Sequence, residues 1–71
     1  MHRINPSKLY LSKWTAVQPH NREKHFLVTE LYRDEAGTLL AIELQAVLTG
    51  RNRRCDWREL KDDGRWRMGW K

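Results

Sequence analysis

Residues 39–49 read Leu-Leu-Ala-Ile-Glu-Leu-Gln-Ala-Val-Leu-Thr, and the way this stretch folds constrains everything around it. Leu40, Ile42, Leu44, Ala46 and Leu48 are apolar at every second position, while Glu43, Gln45 and Thr49 are polar. A period of two gives a strand one apolar face. The composition also suits a helix, since Ala, Leu, Glu and Gln are good helix formers, Thr38 stands where a cap belongs and Gly50 where a helix would stop. Two signals favour the strand: the alternation itself, and the preceding Asp34-Glu35-Ala36-Gly37, whose turn chemistry suits a hairpin. Residues 39–48 are therefore expected to form a strand.

The neighbouring segments agree with a β fold. His25 to Arg33 is rich in β-formers and holds neither Gly nor Pro, and Lys13 to Val17 reads as a strand with Trp14 and Ala16 on one face. Between them, Gln18 to Glu23 is polar and contains Pro19, which reads as a connecting loop. Past the turn at Gly50-Arg51-Asn52, alternation places Cys55 and Trp57 on one face and Arg54, Asp56 and Arg58 on the other. Asp56 three residues before Glu59 suggests a capping box and one helical turn over Trp57 to Lys61. After Asp62-Asp63-Gly64 a last strand should put Trp66, Met68 and Trp70 on one side, with Arg65, Arg67 and Lys71 on the other. Asn5-Pro6 opens a further short helical turn, and residues 1–4 ahead of it are expected to be disordered.

With 71 residues the chain makes one domain, 1–71, that must pack densely to be stable. The expected architecture is mainly all-β: a small antiparallel meander or an SH3-like half-open barrel of four to five strands, with one or two short helical turns. Its expected core is Trp14, Phe26, Val28, Ile42, Leu44, Leu48, Trp57, Trp66 and Trp70. The four tryptophans are the natural filling for a core that has no disulfide to help it. One or two of them left partly exposed would instead offer a stacking surface for bases.

Size excludes large multi-domain enzymes. The longest apolar run, Leu39 to Ile42, is far short of the ~20 residues that span a membrane, and the first residues hold no apolar stretch of signal-peptide length. A single cysteine cannot pair within the chain, which fits a reducing cytoplasm. Chemistry is sparse. His20, His25 and Cys55 lack the spacing of a metal site, Asp34-Glu35 and Asp62-Asp63 lie in turns, and the four glycines form no phosphate loop. No catalytic residue, metal or cofactor is expected.

Charge is the informative feature. Fourteen Lys and Arg against nine Asp and Glu leave +5, and residues 50–71 hold eight of the bases but only four of the acids. Six are arginines: Arg51, Arg53, Arg54, Arg58, Arg65 and Arg67. An Arg fork donates two parallel hydrogen bonds to phosphate or carboxylate, so an Arg-rich segment suits a polyanion or an acidic surface. The bland alternative is a solubilising face.

Asn5-Pro6, Lys8-Leu9, Ser12-Lys13-Trp14-Thr15-Ala16, Lys24-His25-Phe26, Val28-Thr29, Ala46-Val47-Leu48-Thr49, Trp57-Arg58-Glu59-Leu60-Lys61-Asp62 and Trp66 with Gly69-Trp70 follow one another at a familiar spacing. In these segments the chain resembles the small tryptophan-rich conserved hypothetical proteins of proteobacteria, cyanobacteria and plants, a domain family of unknown function. The resemblance runs from Asn5 to Trp70 and is weakest over residues 50–55. It implies a stand-alone compact domain and carries over neither an activity nor a site residue. The leading expectation is a non-catalytic, monomeric, cytoplasmic binding module that holds RNA or single-stranded DNA weakly through its arginines. The alternative is an interaction subunit or adaptor that docks on an acidic partner protein.

Overall fold

Leu39–Ala46 is a strand, as its alternation requires, and every other extended segment pairs around it. The computed structural model describes residues 3 to 71. The elements run η1 (Pro6–Lys8), β1 (Lys13–His20), β2 (Glu23–Arg33), β3 (Leu39–Ala46), β4 (Asn52–Asp56), η2 (Trp57–Lys61) and β5 (Trp66–Met68), where η marks a 3-10 turn. The strands form one open antiparallel sheet in the order β4-β3-β2-β1-β5. Four strands meander, and η2 then carries the chain back so that β5 pairs with β1.

Residues directly opposite each other share a face. Val28 faces Leu44, Phe26 faces Ala46 and Trp14, and Ile42 faces Cys55, which defines the core side. Leu9, from the end of η1, and Leu60, from η2, close over it. Both caps are side-chain made: Asn5 accepts from the Ser7 amide at 3.0 Å, and Asp56 from the Arg58 amide at 2.9 Å.

Several expectations need correction. Leu48, expected in the core, is 69% exposed, because β3 ends at Ala46 and the chain turns through residues 47–49. Trp70, also expected there, is 42% exposed: Gly69, at φ +81°, breaks the alternation after Met68 and sends the ring to the opposite face. Phe26 and Trp57 are half-buried and pack against the core rather than within it. Of the segment expected to be disordered, residues 1 and 2 lie outside the described residues, and Ile4 packs against the core.

The expected loop at residues 18–23 is instead mostly strand. β1 runs to His20, β2 begins at Glu23, and the pairing jumps from Thr15–His25 to His20–Glu23. Pro19, which has no N–H to offer, sits inside that interruption of the ladder. Only Asn21 and Arg22 remain as the turn, both left-handed, at φ 54° and 62°. This is the primed geometry that matches strand twist, and it suits Asn but penalises Arg. Arg22→Gly is expected to stabilise the domain by about 1 kcal/mol, a rise of roughly 4–8 °C in a thermal melt. An unchanged midpoint would show that Arg22 is unstrained.

Candidate functional site

Strand pairing sorts the six arginines. Arg54 pairs with Glu43 on the face opposite the core and lies 4.1 Å from the Tyr32 ring centre. Arg67 pairs with Thr15 on that same face, but on β5. β4 and β5 are the two edges of the sheet, four strand spacings or roughly 19 Å apart on a flat sheet. Arg58 is folded back on Asp56, with Nε donating at 3.1 Å and Nη2 at 2.9 Å. That fork holds the Asp56 carboxyl down at about 2, against an ordinary 3.8. The arrangement therefore supports the folded state above pH ~4 and is lost as pH falls towards 2. Arg67 therefore stands on the opposite edge of the sheet from Arg54 and Arg58.

Arg51, Arg53 and Arg65 do come together. They line a cleft of about 420 Å³ on the core side, with Phe26 and Trp66 among its walls. Arg65 lies 3.0 Å and Arg53 4.0 Å from the same Glu59 oxygen, so η2 ties one sheet edge to the other. Arg51 stands 3.8 Å from Glu23, whose other oxygen accepts from the Thr49 hydroxyl. These ion pairs orient the guanidinium groups without consuming them, since all three side chains remain at least half exposed. Phe26 and Trp66 meet edge to face, with centroids 5.2 Å apart at 86°. Ala16, Ala46 and Gly64 leave the space open above them.

Sequence reasoning missed the uncharged and acidic polar lining of this cleft: Gln18, His20, Asn21, Glu23 and Asn52. They fall in segments that read as loop and turn. The available signal was that both hairpin turns, at Asn21-Arg22 and after Ala46, project from the same end of the sheet.

On the opposite face, Trp70 donates from Nε1 to the Phe26 carbonyl at 3.0 Å, with Lys13 4.9 Å from its ring centre and His25 tilted against it at 6.0 Å. The buried Thr15 fastens this segment, donating to the Gly69 carbonyl at 2.6 Å and accepting from the Lys71 amide at 2.9 Å. Among the described residues, no group of three or more His, Cys, Asp or Glu stands close enough to hold a metal ion.

A family model described as Tryptophan-rich protein (DUF2389) matches residues 12–71. The chain belongs to this family. The DUF2389 match takes in all five strands, η2, the cleft and all four tryptophans. In this member of the family, Trp14 and Trp66 are core, Trp57 is half-buried and Trp70 is exposed. No curated protein and no solved structure matches the chain.

Proposed function

We propose that this protein is a non-catalytic binding module of the cytoplasm, acting as a monomer, that holds RNA or single-stranded DNA in the cleft between β4 and β5. The observation that carries the reading is the convergence of Arg51, Arg53 and Arg65 on one aromatic-walled cleft. Three forked cations beside a single lining carboxylate favour phosphate, and an apolar floor favours the face of a base. Arg54, Arg58 and Arg67 lie outside this cleft and are not assigned to it.

Affinity should be modest, with Kd on the order of 10⁻⁴–10⁻⁶ M at physiological salt. If the three arginines neutralise three phosphates of a single strand, log K should fall against log salt with a slope of about −2. The deciding experiment is titration of a fluorescent single-stranded oligonucleotide at low salt. The Arg51→Glu/Arg53→Glu double variant is expected to lose binding, and Arg54→Glu, on the other face, to keep it within about twofold of the wild type, a few tenths of a kcal/mol. Binding weaker than millimolar, or binding indifferent to the double charge reversal, would overturn the reading and turn attention to an acidic protein partner for the same arginines.

A further inference from the structure

A second surface begins at the turn end of the sheet and extends onto the face opposite the core. Val47 and Leu48, in the turn after β3, are 48% and 69% exposed, and they border one depression together with Arg22, Lys24 and His25. The Val47 amide donates to the His25 carbonyl, and the His25 ring leans on Trp70, which carries Lys13 over its own ring. Leu48, Val47, His25 and Trp70 thus form a continuous exposed strip with Arg22, Lys24 and Lys13 along its rim. Residues 12–22, 24–29, 44–52 and 65–71, which supply and surround the strip, contain no Asp or Glu. Glu23, between Arg22 and Lys24, is only 12% exposed and is engaged by Thr49 and Arg51. The strip therefore fits a partner that is apolar and anionic at once.

Three details favour a bilayer surface. The Trp70 Nε1 is spent on the Phe26 carbonyl, so the indole offers a fixed apolar ring, as aromatic residues at a lipid–water interface do. Val47 and Leu48 are aliphatic, stack poorly on bases, and need no matching socket in fluid acyl chains. Arg22 holds a left-handed backbone, φ 62°, that disfavours it, and strain of this kind concentrates where a side chain is used.

We infer that this end of the sheet is a peripheral docking surface for an anionic lipid bilayer. Val47, Leu48 and the Trp70 ring enter the headgroup layer, while Arg22, Lys24 and Lys13 meet the lipid anions. The surface is separate from the cleft, so it stands or falls apart from the nucleic-acid reading.

Cosedimentation with vesicles decides the matter. The wild-type chain is expected to bind phosphatidylcholine vesicles containing about 30% phosphatidylserine at least tenfold more tightly than pure phosphatidylcholine. Arg22→Gly/Lys24→Gln should weaken that binding about 25-fold, near fivefold per cation. Any basic protein is drawn to anionic lipid, so the decisive variant keeps the charge. Leu48→Ser should lose at least about fivefold, whereas Leu40→Ser, a comparably exposed leucine near the other end of β3, should stay within about twofold of the wild type. Binding should also shift tryptophan emission to shorter wavelength in the wild type and not in Trp70→Phe. Equal binding to neutral vesicles, binding indifferent to Leu48→Ser, equal losses in the two serine variants, or an emission shift that survives Trp70→Phe would each overturn the inference. Binding to neither vesicle would overturn it too and leave an acidic protein as the occupant of the strip.

Discussion

Trp14→Ala is expected to cost about 3–5 kcal/mol, measured by chemical denaturation, and to leave a large unfolded fraction in ordinary buffer. A chain of this length has roughly 4–11 kcal/mol of stability in total, so the loss approaches the whole of it. Trp14 is 1% exposed, faces Phe26 on one neighbouring strand and Met68 on the other, and donates from Nε1 to Ser12 at 2.8 Å. Its removal opens a void between three strands and takes a partner from a half-buried hydroxyl. Trp70→Ala, at an exposed ring on the opposite face, should cost less than half as much. If Trp14→Ala lowers stability by no more than about 1 kcal/mol, the core is not organised around that ring.

Leu60→Ala is expected to cost about 2–5 kcal/mol and also to expose a thiol. Leu60 is the one buried side chain of η2, so it fastens that turn, and with it Glu59, over the sheet. Behind η2 lies Cys55, whose thiol is pushed up to about 12 by burial first, then by the Glu59 charge and a hydrogen bond to Glu59, with Arg53 pulling the other way. Only the thiolate attacks thiol reagents. The folded wild type should therefore label orders of magnitude more slowly at pH 8 than its unfolded form, whose thiol titrates near 9.0. Because the folded value is the higher one, this contribution to stability is complete below pH ~9 and fades as pH rises towards 12. In Leu60→Ala the labelling rate should climb as η2 lifts. Labelling of the wild type at the rate of a free thiol would mean that Cys55 is not covered.

What could be read from the sequence was local alternation. Ile42, Leu44 and Ala46 were placed on the core face by their spacing, and all three are buried. Leu48 carries the same signal but lies past the end of β3, because β3 itself turns away while β2 continues to Glu23: the Gly50 amide donates to the Ala46 carbonyl and closes the turn. Trp70 departs from its expected face at a single glycine, Gly69, whose left-handed backbone is invisible to a hydropathy pattern. The arginines show a different limit. The expected face holds Arg53 and Arg54 together, whereas pairing puts Arg53 opposite Leu44 on the core side and Arg54 opposite Glu43 on the other, and the meeting of Arg53 with Arg65 depends on Glu59, which no local pattern encodes. The sequence grouped six arginines by proximity along the chain. The fold groups three of them.

The β2–β3 ladder carries two irregularities. Thr29 is an extra residue on β2 between the pairs Val28–Leu44 and Glu30–Glu43, and Leu40 is an extra residue on β3 between Tyr32–Ala41 and Arg33–Leu39. Each bulge flips the phase of its strand, which is why Leu31 and Leu39 turn towards the core while Leu40 is left outside. The two offsets cancel: the pairs at either end of the hairpin keep one frame, and only the stretch between the bulges is displaced by a residue. Single-residue gaps at these positions are consequently coupled across the ladder. Losing Thr29 alone, or Leu40 alone, throws one end of the hairpin out of frame with the other. Losing both restores a common frame, so a lineage of such chains would be expected to gain or shed the two residues as a pair.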